Sequence, residues 1–298
     1  MENNNQNTAV KRNNRHLIIS LSIIGCAFII ALIIGVIAII GNLGNRINGK
    51  NPEKLYDSMT STISSSGNYV INVQKSGNGT LFHGDNGESK AIDEVITTNE
   101  VSMVDGDNVY YKKTLKRVSA GEETTTTLEI VVVDGVKYFR YIVPGKPTQK
   151  YRSTVVNNDY KEATELLDAL VWEYDDLFDD VKLESISGGK KAQMNKEEVK
   201  GDPEFNEALT YNAQCFFADN AGTNGAVLSG LPIKFFEDYD YSVVYDSDGR
   251  AVAVAYSYAM GNGNFFAGDL SLEATVSYGN ARVSAPQDAE EYQWAKTN

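Results

Sequence analysis

The chain has 298 residues, in which 27 lysines and arginines stand against 40 aspartates and glutamates, giving a net charge of −13 at pH 7. An acidic surface repels phosphates, so this balance excludes nucleic acid and anionic lipid head groups as main partners. The two cysteines, Cys26 and Cys215, lie far apart, and neither a disulfide framework nor a cysteine-rich metal site is predicted.

An uncharged apolar stretch, residues 17–40, dominates the N-terminal part of the chain. At about 1.5 Å per residue, a helix of this length spans roughly 36 Å, enough to cross a hydrocarbon core of about 30 Å. Residues 1–16 are polar and asparagine-rich, with Lys11, Arg12 and Arg15 directly against the stretch. By the positive-inside rule we predict a disordered cytoplasmic stub, a transmembrane helix and a large extracytoplasmic domain, hence a single-pass protein of the cell membrane.

Other interpretations of the apolar stretch stay open. A cleaved signal peptide would have a shorter apolar region, of roughly 7 to 15 residues, and a small-residue cleavage site. The tetrad Ile23–Cys26 resembles a bacterial lipobox, in which Cys26 would be lipidated, although apolar residues continue beyond it. Ala27, Ala31 and Gly35 form a stripe of small residues through which two such helices could pack as a homodimer.

After the apolar stretch the sequence predicts a flexible spacer at 41–51, one β-rich extracytoplasmic domain at 52–292 and a tail at 293–298. The domain opens with a short helix at Pro52. Two similar stretches, 101–113 and 129–141, each contain a β-rich half, an Asp-Gly turn and a second half with paired aromatics. This pattern is typical of β-hairpins.

Several shorter elements are predicted from local composition. Glycine-rich turns are expected at 77–79 and 83–85, a polar loop at 187–202, and a short helix at 203–211.

The strongest helix signal covers residues 160–179, which begin with a capping-box pattern at Asp159 and Glu162. The side of this helix opposite its apolar residues is acidic, which favours a face exposed to solvent over a binding surface for a basic partner or a cation. Its apolar positions recur at helical spacing and form one face. Four of them are candidate cavity residues: Leu167, Leu170, Val171 and Tyr174.

The C-terminal meander contains a strand, residues 251–259, in which neither face carries a charge. Small residues occupy one face, leaving room for a closely packed helix or a cavity. The larger side chains of the other face are also candidate cavity residues: Val252, Val254, Tyr256 and Tyr258. The following strand, 269–278, alternates apolar and polar residues, so one of its faces meets water. These patterns predict an α+β fold, with a curved, mostly antiparallel sheet wrapped as a half-barrel on amphipathic helices.

The order of helix, long meander, inserted helices and final meander resembles the LolA-like lipoprotein-sorting fold, including the LppX group of extracytoplasmic lipoproteins. The residues that carry the resemblance are the turn Asp246–Gly249, the strand after it, the turn Tyr278–Asn280 and the segment Val283–Pro286. The resemblance implies an apolar cavity able to hold acyl chains, and it carries over no catalytic residues.

Catalytic and cofactor motifs are weak or missing in the sequence. The domain has one histidine, His83, in a glycine-rich segment without a supporting motif. Zinc motifs and phosphate-binding glycine loops do not occur, so we predict neither an enzyme nor a cofactor. Phe265 and Phe266 lie in a glycine-rich loop, where they are either tucked under or offered to a ligand or membrane.

The sequence is therefore compatible with two functions. The first is a membrane-anchored domain that binds an apolar ligand, in particular lipid, in a cavity between sheet and helix. The second is a cell-surface interaction protein with a solid core and no small-molecule ligand.

Overall fold

A computed structural model describes residues 62–63, 65–85, 88–155, 182–199, 201–222, 233–262 and 266–295. These residues form mainly β-strands, which in chain order are β1 (Asn68–Asp85), β2 (Glu88–Asp105), β3 (Asn108–Ser119), β4 (Glu122–Val133), β5 (Val136–Ile142), β6 (Gln149–Thr154), β7 (Lys182–Ile186), β8 (Gly189–Gln193), β9 (Phe235–Asp246), β10 (Ala251–Gly261), β11 (Phe266–Tyr278) and β12 (Gln293–Trp294). The helices are α1 (Lys196–Val199), α2 (Pro203–Asn220) and a 3₁₀ turn (Ala289–Glu291).

All twelve strands belong to one sheet, with the order β12-β6-β5-β4-β3-β2-β1-β11-β10-β9-β8-β7. The sheet consists of two meanders, β1 to β6 and β7 to β11, which join where β1 pairs with β11. Every pairing is antiparallel except that of the short β12, which lies parallel to β6. Neighbouring strands are thus mostly consecutive in the chain, as short hairpin turns require.

The predicted hairpins are confirmed. β2 pairs with β3 and β4 pairs with β5, and the connections fall at the two Asp-Gly sites. At the second site Asp134 and Gly135 have φ of 51° and 75°. Positive φ at both central residues is the type I′ geometry, whose twist matches that of the two flanking strands.

The long helix α2 begins at a well-formed N-cap. Asp202 accepts hydrogen bonds from the amides of Glu204, at 2.8 Å, and Phe205, at 3.3 Å, and Pro203 occupies the first turn. The buried side of α2 runs beyond the predicted end at residue 211 because apolar residues continue at helical spacing. The buried residues of this side are Phe205, Leu209, Ala213, Phe216, Phe217 and Asn220.

The two faces of the sheet differ in what covers them. The helix face, which carries Ile71, Val73 and Val254, packs in the main hydrophobic core together with α2. The opposite face, which carries Tyr110 and Val131, lies beneath the C-terminal residues and is called the strap face below. A smaller cluster around Val109, Tyr111, Ile130 and Val132 extends the helix-face core across β3 and β4.

The predicted α+β fold is wrong for the described residues, which form a twelve-stranded sheet with one long helix. The helix predicted at 160–179 lies outside the described residues. Two local predictions are also wrong: β1 runs straight through 77–79, and the polar stretch 187–202 contains β8 and α1. In β8 the pairing with β9 outweighs the low strand propensity of a polar sequence.

The predicted membrane location is corrected as well. Within the described part of the chain, no helix is long and apolar enough to cross a membrane. The structure gives no support to a transmembrane, single-pass protein with a cytoplasmic N-terminus, and we set that location aside. The stretch 17–40 and the small residues Ala27, Ala31 and Gly35 lie outside the described residues.

Candidate functional site

The predicted cavity residues on β10 lie against α2. Val254, Tyr256 and Tyr258 are buried on the helix face, whereas Val252 is half-buried next to a bulge between β9 and β10. The Tyr258 hydroxyl lies 2.9 Å from Oδ1 of Asn212, on α2. Side chains of α2 therefore pack against these tyrosines in the helix-face core.

Of the other predicted ligand residues, the structure describes only the backbone of Phe266. Leu167, Leu170, Val171, Tyr174 and Phe265 lie outside the described residues. Phe266 begins β11, where its backbone pairs with Leu81.

A buried ion pair ties α2 to the sheet. The Glu94 carboxylate is buried in β2, where it accepts a hydrogen bond from Ser119 and lies 3.6 Å from Nε of Arg117. The same arginine donates from Nη1 to the carbonyl of Ala221, at 3.2 Å, directly after α2. A cation at a helix C-terminus is favourable because it faces the negative end of the helix dipole.

A second buried carboxylate, Glu100, lies on the same face and strand. It accepts hydrogen bonds from Thr98, at 3.1 Å, and Tyr111, at 2.9 Å, and lies 3.9 Å from Nζ of Lys75. Burial lowers the pKa of Lys75, and the opposite charge of Glu100 partly offsets this effect. These groups satisfy one another inside the helix-face core, so we assign them a structural role.

The strap face is crossed by the C-terminal residues Ala281–Ala295, which we call the strap. The strap starts at β1, where Asn68 exchanges hydrogen bonds with the backbone of Ala281. It ends as β12 beside β6, and the amide of Ala295 donates to the carbonyl of Arg152 at 2.8 Å. The strap therefore covers the strands between β1 and β6.

Charges and aromatic rings attach the strap to β5 and β6. Lys150 donates to Asp288, at 2.6 Å, and to Glu291. The hydrogen bond from Lys150 lowers the pKa of Asp288, and the same contacts raise the pKa of Lys150. Tyr292 is buried edge-on against Tyr138, with ring centroids 5.4 Å apart.

A groove of about 610 Å³ lies between the strap and the strap face. Its floor comes from β2 to β5, and its roof from the first half of the strap. The apolar lining residues are Met103, Val131, Val283, Ala285 and Pro286. The polar lining residues are Tyr110, Glu129, Arg140, Arg282, Ser284, Gln287 and Asp288.

The register of the sheet places the floor residues in two rows. Met103 lies opposite Tyr110, and Tyr110 opposite Val131, in one row. In the next row Glu129 lies opposite Arg140. Because paired residues of neighbouring strands point to the same face, both rows project into the groove.

Two acidic groups of the groove have close partners. Glu129 accepts a hydrogen bond from the Tyr110 hydroxyl at 3.0 Å, and Asp288 accepts one from Lys150. Burial and the neighbouring Glu129 raise the pKa of Tyr110, so its phenol stays protonated at neutral pH. The guanidinium of Arg140 lies farther from both acids, at 3.6 Å from Glu129 and 3.9 Å from Asp288.

Sequence reasoning missed this groove. Alternation in β3 to β5 would place Tyr110, Glu129 and Arg140 on one face once the hairpin registers are known. The path of the strap could not be derived in the same way, because it depends on contacts between residues more than 100 positions apart, such as Lys150 and Asp288.

No protein-family model matches the chain. No curated protein matches it either. Among solved structures, the chain is similar to a porin-like protein from Bacteroides uniformis, with 9% identity and a TM-score of 0.17, over 70% of this chain and 96% of that one. It is also similar to a β-barrel-like protein of the domain of unknown function DUF1849 from Brucella abortus, with 11% identity and a TM-score of 0.17, over 72% of this chain and 98% of that one.

Likeness at these TM-scores carries no argument about function. The LolA-like architecture predicted from the C-terminal meander is not confirmed. What stands is a β-sheet fold with a groove on its strap face.

Proposed function

We propose that this chain is a binding protein, without catalytic activity of its own, that holds a small organic ligand in the strap groove. The observation that carries the proposal is the groove, about 610 Å³ between four paired strands and the strap. Ligand sites in proteins are typically concave and of roughly 300 to 1,000 Å³, with an apolar lining and a few polar groups that orient the ligand.

The lining favours a ligand that is partly apolar and partly polar. Met103, Val131 and Val283 offer apolar contacts, whereas Glu129 and Arg140 place charges beside them. A pure hydrocarbon ligand would leave these charges desolvated without compensation. We therefore propose an amphipathic molecule in place of the lipid expected between sheet and helix, where α2 fills the space next to β10.

The chemistry of the groove favours binding over catalysis. Its lining contains no histidine or cysteine, and its two carboxylates, Glu129 and Asp288, are engaged by Tyr110 and Lys150. Within the described residues, no group of three or more His, Cys, Asp or Glu side chains could hold a metal ion. The backbone of His83 lies opposite Lys90, at the end of β2 far from Met103, which lines the groove.

Methyl NMR of the full-length chain tests this proposal. A set of aromatic amides, alcohols, amines and acids of fewer than about 15 heavy atoms is added at millimolar concentration. We expect saturable shifts at the methyls of Met103, Val131 and Val283. The methyls of Val254 and Val276, buried on the helix face, serve as internal controls and should not move.

The proposal fails if no fragment shifts the groove methyls, or if shifts occur only on the helix face. The first outcome would favour the surface interaction protein with a solid core. The second would indicate that the ligand binds between the sheet and α2.

A further inference from the structure

We infer that the ligand of the strap groove is an organic anion, whose carboxylate or phosphate group binds Arg140 and Arg282. This inference rests on the binding function proposed above and specifies the chemical class of the ligand. It follows from the hydrogen bonds and ion pairs of the two guanidinium groups in the groove.

The hydrogen-bond donors of Arg140 are not used by the described protein residues. A guanidinium has five N–H donors in a planar fork. The two acids near Arg140 lie at 3.6 and 3.9 Å, beyond the 2.7–3.2 Å typical of N–H···O hydrogen bonds. Its Nε is buried and has no acceptor among the described residues. An anion in the groove would therefore be bound through the terminal nitrogens Nη1 and Nη2, from which Glu129 and Asp288 lie beyond hydrogen-bond distance.

The acids around Arg140 are held by other groups, so they compete weakly with an incoming anion. Glu129 is bound by Tyr110 at 3.0 Å, and Asp288 by Lys150 at 2.6 Å. Neither carboxylate needs to be released from its close partner for Arg140 to bind a ligand. The ligand would meet a guanidinium that is already oriented by two charges but not yet hydrogen-bonded.

Arg282 supplies a second cation from the roof of the groove. It is exposed, and it forms no ion pair within the part of the chain that the structure describes. Arginine binds carboxylate and phosphate in a bidentate manner because its planar fork matches two oxygens. Two arginines in one groove therefore favour an anion, while Met103 and Val131 contact the organic part of the molecule.

The acidic character of the whole chain does not oppose this inference at the site. The net charge is −13, but the groove lining contains two arginines against two acids, Glu129 and Asp288. Lys150 offsets one of these acids from outside the lining. Screening reduces the effect of distant surface charges over about 8 Å at physiological salt, so the local groups decide which ligand binds.

The test compares benzoate, phenyl phosphate and benzamide, a neutral analogue of benzoate, by titrating the groove methyls of the full-length chain. We expect at least one of the anions to bind about tenfold or more tightly than benzamide. The better of the two anions shows whether the natural ligand carries a carboxylate or a phosphate.

Three variants show whether the preference comes from the groove. Arg140→Gln should remove the preference for the anion, and Arg282→Gln should reduce it. Lys182→Gln is the matched control, since it removes one positive charge at an exposed position of β7, at the far edge of the sheet from the groove. Arg140→Gln should fold normally because Glu129 and Asp288 keep their close partners, which unchanged shifts at Val254 and Val276 would show.

Other outcomes separate this inference from the proposed function. Equal affinity for benzoate, phenyl phosphate and benzamide would contradict the inference that the ligand is an anion, while the proposed binding function of the groove would stand. Loss of the preference in Lys182→Gln as large as in Arg140→Gln would assign it to overall charge and overturn the inference. If none of the three binds and only neutral or cationic members of the broader fragment set do, the anionic ligand is contradicted and the proposed function remains. If neither set binds, the proposed function fails as well.

Discussion

Phe216 of α2 packs directly over Gly77 of β1, so closely that a Cβ atom at this glycine would overlap the Phe216 ring. The same Cβ would lie 3.1 Å from Cδ1 of Leu270 on β11. Gly77 is therefore required by helix packing, in the middle of a continuous strand.

Gly77→Ala should destabilise the protein by about 1 to 3 kcal/mol, because overpacking forces α2 or the Phe216 ring to move. Urea unfolding followed by circular dichroism measures the change. Ser76→Ala, on the opposite face of the same strand, is the control and should change stability by less than about 0.5 kcal/mol. In the double variant Gly77→Ala/Phe216→Leu, the loss should be smaller than the sum of the two single losses; strict additivity would contradict the proposed contact.

The buried pair of Glu94 and Arg117 should be important for stability. Arg117→Met leaves the Glu94 carboxylate buried without its cation and removes the bond to Ala221, so we expect a loss of about 3 kcal/mol. Thermal or urea unfolding measures it. Lys116→Met is the control, since Lys116 pairs with Glu123 at an exposed site where both side chains are about half exposed. Exposed pairs contribute at most about 1 kcal/mol, so similar losses in the two variants would contradict this assignment.

We expect the packing of Tyr292 to keep the strap attached to the sheet. Tyr292→Ala removes a ring that is 2% exposed and packs edge-on against Tyr138. We expect the amide of Ala295, which donates to Arg152, to exchange with solvent at least tenfold faster. Amides of the β1–β11 pairing serve as the reference and should keep their protection. Faster exchange in both regions would mean that the strap and sheet unfold together.

The attachment of the strap should depend on pH through Asp288. Lys150 lowers the pKa of this carboxyl in the folded protein. The stabilisation of strap attachment by the Asp288–Lys150 pair is therefore fully present above the ordinary pKa of 3.8 and is lost as pH falls through the lowered value. Burial raises the pKa of Asp269 and Glu273 in β11, so acid does not weaken the sheet through these groups. We therefore expect the strap to detach at low pH before the sheet unfolds.

Fluorescence of Trp294, which stacks on Arg152 with 4.8 Å between the guanidinium carbon and the ring, reports strap attachment. The chain has two tryptophans, so the measurement uses a Trp172→Phe background. In the Asp288→Asn variant the signal should be altered already at pH 7 and should vary less between pH 5 and 2. An identical titration in both proteins would exclude Asp288 as the responsible group.

Local features of the fold could be predicted from the sequence, and long-range ones could not. The turn at Asp134 and Gly135 follows from the conformational preference of those two residues. The Gly-Asn-Gly composition of 77–79 predicts a turn, and the sequence does not show that Gly77 is required by a packing partner, Phe216, far away in the chain. Strand β8 was missed because its residues, GKKAQ, have low strand propensity, and only pairing with β9 makes them a strand.

For the candidate site, too, local features could be predicted from the sequence and long-range ones could not. The strand containing Val254, Tyr256 and Tyr258 was identified, but the sequence could not show that α2 would fill the space next to it. The groove depends on the strap, and Trp294, which the sequence placed in a tail, is paired with β6. A segment that crosses a sheet leaves no periodic signal in its own residues.

The seam between β1 and β11 also has a consequence for the order of folding during synthesis. Tyr69 in β1 lies opposite Tyr278 in β11, more than 200 residues later. The first meander can form as soon as β1 to β6 leave the ribosome, because its contacts are local. Its Ile71 and Val73 are buried only once α2 and β11 have been made, so an apolar sheet surface stays exposed while the intervening residues are synthesised. The two meanders can join only after β11 has left the ribosome, so synthesis of the residues between β1 and β11 sets the earliest time at which this surface is covered.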